Sequence, residues 1–358
     1  MDKILTIIIP TYNMEKYLRK CLDSLIVSNE NMEKLEVLVI NDGSKDSSSQ
    51  IGHEFESKYP QCFRVIDKEN GNYGSCINRG LKEATGKYVK VLDADDYYDN
   101  NVFNNFIGYL NKVGVDLIIN DFCTVDENDK IIETYSFDLS TDREFLLNDI
   151  PVSMVEWLWH QGITYKAKIL NEIDYHQTEG ISYTDDEWVF MPMMAVHSVS
   201  YFPHVMYNYL LGREGQTFDP AIMKSSFEKK IIVGKSMCEY FGTYQGSFPD
   251  DVASFMSAKL QKRISVIYNF YLTKQYSNAG NNLLKDFDIY VKTHANIIYN
   301  LLGQSKDKYG HPNFIYVWRK AGYKNTIYLW LRQLKFKIRI WLGKDYRNLH
   351  MPDYIRRK

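Results

Sequence analysis

Three carboxylates follow a short apolar run in the segment Val91-Leu92-Asp93-Ala94-Asp95-Asp96. Alternate residues of a β-strand share a face, so an apolar strand that ends in Asp-x-Asp presents Asp93 and Asp95 on the same side. Divalent cations such as Mg²⁺ and Mn²⁺ bind oxygen ligands, commonly one or two carboxylates together with substrate phosphates. The segment therefore indicates a divalent cation site, although a solvated Asp-rich turn has the same composition.

Apolar, β-branched runs predict the strands that position these carboxylates. Helical spacing from Glu15 to Val27 connects the first two runs, and a helix that carries Ile77, Leu81 and Ala84 precedes the last one. The alternation of strand and helix is typical of βαβ units and a buried parallel sheet. The predicted strands cover residues 4–9, 35–40, 63–66 and 88–92.

Polar segments come directly after several of these strands. They are Pro10-Thr11-Tyr12-Asn13, Asp42-Gly43-Ser44 and Asp93-Ala94-Asp95. Ligands of open α/β sheets bind outside the carboxyl ends of the strands. We therefore expect the three segments to converge on one pocket.

Four segments resemble, in order and spacing, the motifs of the inverting family 2 glycosyltransferases. They are residues 7–13, 39–46, 69–80 and 86–96, so the resemblance covers roughly the first hundred residues. It implies the GT-A fold, an α/β fold with a doubly wound mixed sheet. It also implies transfer of a sugar from a nucleoside diphosphate donor, with UDP favoured by the habits of the family.

The resemblance assigns the nucleotide to the strand ends. Tyr12 is expected to pack against the base or ribose, and the Asp42 carboxylate to accept a hydrogen bond from the base. An ordinary Asx turn or helix cap is the other interpretation of Asp42. The full predicted nucleotide-binding set is Pro10, Thr11, Tyr12, Asn13, Asp42, Gly74, Asn78, Asp93 and Ala94.

The segment from Asn70 to Gly80 contains glycines and opens a helix, whose N–H groups and positive dipole end are expected to face the nucleotide. Asn72 stands where many members of the family have a second glycine. Gly71 and Gly74 are expected to allow positive φ in this loop.

The resemblance also assigns the metal. Asp95 is the expected direct ligand of Mn²⁺ or Mg²⁺, and Asp93 is expected near the ribose or a metal-bound water. Such an ion offsets the charge that develops on the leaving diphosphate. Asp96 is interpreted as the N-cap of the helix after Tyr98, without a ligand role.

Inverting transfer requires a base for the acceptor hydroxyl. The family carries an acidic pair at the start of a helix, and Tyr183-Thr184-Asp185-Asp186-Glu187-Trp188 is the matching segment. Asp186 is the predicted base, with Asp185 in place of the more usual glutamate. Acids that complement a helix dipole would give the same pattern.

Residues 157–166 resemble the acceptor-side segment of the family, and Tyr207-Asn208-Tyr209 with the residues from Arg213 resembles its closing strand and loop. Trp159, within residues 157–166, is a candidate sugar platform, although tryptophans are more often core residues. Arg213 follows the stretch Tyr207-Asn208-Tyr209 and can bind a phosphate bidentately, or serve only as a surface cation.

Composition predicts a globular enzyme without nucleic acid or zinc. The chain has 358 residues, 45% of them hydrophobic, and a formal net charge of −2, which argues against a nucleic-acid binder. Five widely spaced cysteines indicate reduced thiols and a cytoplasmic location. Residues 1–3 are too short for the charged region of a signal peptide. The uncharged stretch from Trp188 to Gly212 is interpreted as a helix and a buried strand rather than a membrane span.

The C-terminal part differs in character, which divides the chain into a catalytic domain at residues 1–219 and a mostly helical region at residues 220–358. Its end is strongly basic. An apolar stripe with helical spacing suits an anionic membrane surface, where each cation contributes about 1 kcal/mol. A helix docked on its own domain is the alternative. The stripe consists of Ile327, Leu331, Leu334, Ile338 and Trp341.

These patterns predict a metal-dependent inverting glycosyltransferase that acts on a glycan or lipid-linked glycan, in surface polysaccharide synthesis at the inner face of the membrane. A nucleotidyltransferase is disfavoured because residues 10–13 lack a basic, glycine-rich loop for a triphosphate. A non-catalytic nucleotide- or glycan-binding subunit is the alternative of a different class.

Overall fold

The computed structural model describes residues 2–141, 143–155, 157–213, 220–306 and 310–342. By compactness the chain divides into two units between Ile222 and Met223. The functional division into residues 1–219 and 220–358 remains a prediction.

The first unit is built on one mixed sheet. Its strand order is β3-β2-β1-β4-β8-β6-β9-β5, with β7 paired to β6. The strands are β1 (Leu5–Thr11), β2 (Leu35–Asn41), β3 (Phe63–Asp67), β4 (Tyr88–Val91), β5 (Tyr97–Tyr98), β6 (Leu117–Val125), β7 (Ile131–Tyr135), β8 (Ile163–Lys166) and β9 (Val199–Leu210).

Helices and turns connect these strands. The longest helices of this unit are α3, α4 and α5, and short 3-10 turns cover His160–Gly162 and Met191–Ala195. The helices are α1 (Leu18–Asp23), α2 (Asn29–Lys34), α3 (Ser48–Lys58), α4 (Asn72–Glu83), α5 (Asn100–Leu110), α6 (Val152–Val155), α7 (Ala167–Glu172) and α8 (Asp185–Phe190).

The first half of the sheet is parallel, as the apolar runs predict. β1 pairs in parallel with β2 and β4, and nearly all of its residues are buried because helices cover both faces. β8 is antiparallel to both β4 and β6, which makes the sheet mixed. Parallel pairing brings the carboxyl ends of β1, β2 and β4 to the same edge.

The predicted strands and the helix after Asn70 are confirmed, but the first helix is shorter than predicted. It covers only α1 rather than Glu15 to Val27. The N–H groups of Met14 and Glu15 bind the side chains of Ser48 and Asp46, and the backbone beyond α1 tightens into i to i−3 bonds. The uncharged stretch after Trp188 forms α8, a 3-10 turn and β9, as predicted.

The second unit is helical. Its core includes Tyr268, Phe287 and Trp318, which are fully buried. A π-helical turn at Phe270–Lys274 follows α10. The helices are α9 (Pro220–Tyr244, which starts before the division), α10 (Asp250–Asn269), α11 (Asn278–His294), α12 (Asn296–Leu302), α13 (Phe314–Lys320) and α14 (Ile327–Trp341). Within the described ranges, none of the helices has the length and apolar character that crossing a membrane requires.

Candidate functional site

Three carboxylates meet at the carboxyl end of β4. Asp93, Asp95 and Asp96 each present an oxygen atom, and these atoms lie within 4.8 Å of one another. The short β4 strand ends at Val91, so the turn that follows projects the acids from the edge of the sheet. We call this group the carboxylate cluster.

Asp93 is bound by two side chains that the sequence analysis did not select. It accepts a hydrogen bond from the Tyr73 hydroxyl at 3.0 Å and lies 3.1 Å from His160 Nε2. Burial opposes ionisation of Asp93, but the His160 charge and these hydrogen bonds outweigh it and lower the pKa of Asp93. Asp93 is therefore held as an anion.

Asp95 forms an ion pair with Arg213, through the guanidinium Nε atom. Burial is the largest cause that raises the pKa of Asp95, and the negative charge of Asp93 adds to it, although Arg213 opposes both. The predicted phosphate-binding cation thus lies against the predicted metal ligand. Arg213 is largely buried, so it is not a simple surface cation.

Asp96 is fully buried and does not cap a helix, so the N-cap prediction is wrong. Its carboxylate accepts hydrogen bonds from the Tyr207 hydroxyl at 2.6 Å and the Leu210 N–H at 2.8 Å, which tie the cluster to β9. Burial and the charges of Asp95 and Asp93 raise its pKa well above the usual range. The cap of α5 is Asp99, which is one turn closer to the helix and accepts from the N–H groups of Asn101 and Val102.

The cluster fits a divalent cation. All three donors are carboxylate oxygens, the ligands that Mg²⁺ and Mn²⁺ prefer, and their spacing allows one ion to contact them together. The cluster also carries more acids than the neighbouring Arg213 and His160 neutralise.

A buried lysine holds the backbone next to the carboxylate cluster. Lys90 in β4 donates three hydrogen bonds, to Asn120 Oδ1 at 3.0 Å and to the carbonyls of Gln161 and Ile163 at 2.8 and 3.0 Å. Burial lowers its pKa well below the usual value. These bonds fix the turn that begins with His160, and so they orient the histidine that faces Asp93.

An open pocket of about 510 Å³ lies at the ends of β1, β2 and β3. Tyr12 is 45% exposed and forms one side of it. The other lining residues are Gly43, Lys45, Asp67, Lys68, Glu69 and Asn70. A flat ring and polar groups around an open slot suit a nucleobase or ribose.

Asp42 lies beside this pocket and organises the next loop. Its carboxylate accepts hydrogen bonds from the N–H groups of Gly71 and Asn72 at 3.0 and 2.9 Å, and from Lys68. The interpretation of Asp42 as a turn-stabilising residue therefore has direct support. Asp42 is almost fully buried, and the Cys76 thiol is a further hydrogen-bond partner of its carboxylate.

The other predicted nucleotide residues near β1 mainly shape the backbone. Thr11 is buried and donates to the Ile9 carbonyl, and Ala94 is buried. Asn13 has φ of +54° and accepts a hydrogen bond from the Lys45 N–H at 2.7 Å. These contacts join the end of β1 to the turn after β2, and Pro10 is the penultimate residue of that strand.

The prediction that Gly71 and Gly74 provide positive φ is wrong. Gly71 has φ of −133°, and Gly74 lies within α4. Asn72 is the residue in the left-handed region, with φ of +67°, and asparagine tolerates that region better than most residues do. Gly74 is needed for space, since a Cβ there would lie 2.0 Å from the Thr178 carbonyl oxygen.

Gly74 and Asn78 lie one helical turn apart and both face the loop before α8. The Asn78 side chain accepts from the Gln177 N–H at 2.8 Å and donates to its carbonyl at 2.9 Å. The Gln177 side chain in turn donates to the Thr184 hydroxyl at 2.9 Å. The structure thus shows both residues docking the segment that leads into Asp185; their contact with a nucleotide remains a prediction.

The acidic pair Asp185 and Asp186 begins α8. Burial and the Asp93 charge are the main causes that raise the pKa of Tyr73, and the Asp185 carboxylate adds to them. Burial disfavours the charged form of His160, but Asp93 and, to a smaller extent, Asp185 raise its pKa. The Asp185 charge therefore reaches both side chains that bind Asp93.

The predicted sugar platform is part of an aromatic cluster. The Trp159 ring lies 5.1 Å from the Tyr135 ring and 5.6 Å from the Phe122 ring, and it retains some exposure. Trp157 and Trp188 are buried, as expected for core residues. Of these tryptophans, only Trp159 leaves a face near the surface.

Sequence reasoning missed Tyr73, His160, Lys90 and Tyr207 as parts of the site. Tyr73 and His160 stand inside segments that carry the family resemblance, so their positions were a usable signal. Lys90 was also visible, because a lysine inside the predicted buried run 88–92 must find partners for its charge. Tyr207 stood in the segment that resembles the closing strand.

Comparison with known proteins agrees with this geometry. Residues 6–173 match the family model "Glycosyl transferase family 2". "Uncharacterized glycosyltransferase MG025" of Mycoplasma genitalium is 41% identical over 128 residues, which are 35% of this chain and 42% of that protein. "Minor teichoic acid biosynthesis protein GgaB" of Bacillus subtilis is 35% identical over 107 residues, 30% of this chain and 12% of that protein. The matches thus span less than half the length of these relatives.

Among solved structures, that of S. aureus TarS 1-349 in complex with UDP-GlcNAc is similar, with a TM-score of 0.66, 19% sequence identity and 82% of each chain covered. At this identity the likeness concerns the fold. The mixed sheet and the helices around it agree with the fold expected for the matched family model. Residues 6–173 therefore match glycosyltransferase family 2, and the first unit of the chain has the GT-A fold.

Proposed function

We propose that the protein transfers a sugar from a nucleoside diphosphate donor to a hydroxyl of a glycan or lipid-linked glycan, with inversion at the anomeric carbon. The observation that carries the proposal is the carboxylate cluster of Asp93, Asp95 and Asp96, which lies at the same sheet edge as the pocket beside Tyr12. A nucleoside diphosphate needs a slot for the nucleoside and, next to it, a cation for the diphosphate. At this edge the pocket offers the slot, and the carboxylate cluster offers a place for the cation.

The donor base is proposed to lie against Tyr12, with its N–H group directed at the Asp42 carboxylate. A uracil has such an N–H group, and the TarS structure is named as a complex with UDP-GlcNAc. Thymine and guanine also have such a group, so the choice of UDP rests on the likeness to TarS. The residues Pro10, Thr11, Asn13 and Ala94 would shape this slot through their backbone.

A divalent cation, Mn²⁺ or Mg²⁺, is proposed at the carboxylate cluster, held by Asp95 and Asp93 with Asp96 behind them. When bound, it stabilises the negative charge of the departing nucleoside diphosphate. The chain's own residues prepare the place: His160 and Tyr73 keep Asp93 ionised, and Tyr207 orients Asp96. Arg213 is proposed to exchange its contact with Asp95 for a donor phosphate.

The acceptor proton is proposed to pass to a carboxylate at the start of α8. The family resemblance assigns this role to Asp186. Asp185 is the second candidate, because its charge reaches His160 and Tyr73 beside the cluster. Docking of the preceding loop by Gly74 and Asn78 would hold either carboxylate in place.

The acceptor is proposed to be a surface polysaccharide or its lipid-linked precursor, with Trp159 as a sugar platform and the cytoplasmic face of the membrane as the location. The name of GgaB, a minor teichoic acid biosynthesis protein, supports this class of acceptor. The free, buried cysteines are compatible with a reducing compartment.

Thermal-shift binding of UDP, GDP and dTDP, with and without Mn²⁺, tests the nucleotide site. We expect one nucleotide to stabilise the wild type only with metal, and Asp95→Ala to lose that stabilisation while remaining folded. A folded wild type that responds to no nucleotide would favour the non-catalytic alternative.

Nucleotide release during transfer then tests the base, using Asp185→Asn and Asp186→Asn side by side. Both amides keep the size of the side chain, so nucleotide binding should persist in each. The variant that loses turnover by roughly 10²–10⁴-fold identifies the base. Equal, full activity of both variants would contradict a base on α8.

A further inference from the structure

The helix α14 has two faces with different surroundings. Leu329 and Gln333 are buried, and the Gln333 side-chain amide donates to the Leu272 carbonyl at 3.0 Å. This bond lies at the π-helical turn Phe270–Lys274. One face of α14 is therefore docked on the second unit.

The opposite face is apolar and exposed. Ile327 is 80% exposed, Trp330 52% and Trp341 82%. With 3.6 residues per turn, the exposed apolar residues other than Ile340 and Leu342 fall within an arc of roughly 100°. This stripe consists of Ile327, Trp330, Leu331, Leu334, Ile338 and Trp341, all of them exposed. The apolar stripe predicted from sequence is thus turned outward rather than packed on its own unit.

Cations flank the stripe on both sides. At helical spacing, Lys335 lies at one edge of the stripe and Lys337 at the other, and Arg339 lies beyond Lys335; all three are exposed. The whole segment 327–342 contains no aspartate or glutamate. Long cationic side chains beside an apolar stripe can reach upward to anionic groups while the stripe itself is buried.

Not every cation of the basic C-terminal end belongs to this surface. Arg319 is bound to Asp288 inside the second unit, and the Arg332 guanidinium lies 4.5 Å from the Phe314 ring centre. Five further cations of this end lie outside the described residues: Lys344, Arg347, Arg356, Arg357 and Lys358. The surface of α14 therefore depends on Lys335, Lys337 and Arg339.

We propose that α14 lies in the plane of an anionic lipid surface, with the stripe inserted among the lipids and the flanking lysines at the headgroups. Two exposed tryptophans suit the interface between headgroups and acyl chains. The formal net charge of the chain is −2, so attraction to an anionic surface must come from this local arrangement. A second copy of the chain would meet the same cations and be repelled by them, which favours the lipid.

Vesicle co-sedimentation of the full chain tests the proposal, with phosphatidylcholine vesicles that contain or lack phosphatidylglycerol. We expect binding only when phosphatidylglycerol is present. The double variant Trp330→Glu/Leu334→Glu should weaken binding at least about 10-fold, because it places charge in the apolar stripe. Lys335→Glu/Lys337→Glu should weaken it comparably, and salt of about 0.5 M should weaken binding of the wild type.

The matched control is Ile289→Glu/Ile297→Glu, which changes two exposed isoleucines elsewhere on the same unit. It should bind vesicles like the wild type. Circular dichroism and the melting temperature establish that each variant is folded. Quenching of tryptophan fluorescence by brominated lipid gives an independent readout of insertion.

Three results would overturn the proposal: a wild type that does not bind phosphatidylglycerol vesicles at low salt, a stripe variant that binds undiminished, or a wild type that binds no vesicle but forms a dimer that the stripe variant disperses. Light scattering with size exclusion detects the dimer. None of these readouts depends on sugar transfer, so failure here leaves the proposed transfer reaction untouched and removes only the support for its location at the membrane.

Discussion

Both units of the chain bury carboxylates, but they balance the charge differently. In the second unit, Asp288 is fully buried and accepts two hydrogen bonds from Arg319, at 2.9 and 2.7 Å, and others from Tyr268 and Tyr323. One acid thus meets one guanidinium. In the first unit, the carboxylate cluster places three acids together, with Arg213 and His160 as the cations beside them.

The difference separates a structural ion pair from a binding site. A balanced buried pair stabilises the fold only as long as both partners are present, since an unpaired buried charge is costly. Burial raises the pKa of Asp95 and Asp96, and the neighbouring acids of the cluster raise it further, so the cluster favours an added cation. Burial alone does not identify function; the local charge balance does.

Removing the cation of the balanced pair should have the largest effect on folding. We expect Arg319→Met to lower the free energy of unfolding by about 3–5 kcal/mol, because Asp288 would remain buried without its guanidinium. Urea unfolding measures the loss. Lys320→Met, an exposed cation in the same helix, is the control and should change little. A loss below about 1 kcal/mol would show that the pair is not stabilising.

Neutralising one acid of the cluster should instead affect turnover. We expect Asp95→Asn to reduce the transfer rate by roughly 10²–10³-fold, because charge stabilisation at the leaving diphosphate is lost. Its free energy of unfolding should change little, since relief of repulsion from Asp93 and Asp96 offsets the lost attraction to Arg213. Steady-state kinetics and urea unfolding measure both quantities. Asp99→Asn, which keeps the helix cap, is the control; a cluster variant that fails to fold would contradict the comparison.

A variant of Arg213 tests whether its guanidinium and a metal ion compete for the carboxylate cluster. In Arg213→Gln, we expect Mn²⁺ to bind the free protein roughly 10-fold more tightly, because a competing positive charge has been removed. Nucleotide binding in the presence of Mn²⁺ should weaken, because a phosphate partner is lost. Electron paramagnetic resonance of free Mn²⁺ measures the first effect. Unchanged Mn²⁺ affinity would indicate that the guanidinium and the ion do not share Asp95.

His53 lies at the surface, where an ion pair is expected to contribute least to the free energy of unfolding. The hydrogen bonds from His53 to Asp67 and to Glu56 raise the pKa of His53 above 6.5, and the side chain is about half exposed. Protonated His53 stabilises the folded state. This contribution is fully present below the pKa of the unfolded state, near 6.5, and is lost as the pH rises through the higher pKa of the folded state. Because solvent screens the pair, we expect His53→Gln to cost less than about 1 kcal/mol at pH 5 and almost nothing at pH 9.

Much of the first unit could be predicted from local sequence. Short β-branched runs predicted the buried strands, and Asp93-Ala94-Asp95 predicted carboxylates that gather where the chain leaves β4. The heptad-like spacing from Ile327 to Trp341 predicted α14. The N-cap of α5 was predicted at Asp96, but the structure has it three residues later, at Asp99. Both acids precede the helix, and the local sequence pattern does not show which of them is buried.

The sequence by itself determined which segments form strands and helices and which acids stand at their ends, because those properties depend on neighbours within one or two turns. Only the tertiary structure decided the partners. Asp95 meets Arg213 across 118 residues, Asp96 meets Tyr207 across 111, and Asp93 meets His160 across 67. Long-range pairing sets the charge balance of the cluster, and packing sets which face of α14 is exposed. Neither follows from spacing along the chain, because both depend on which elements fold against each other.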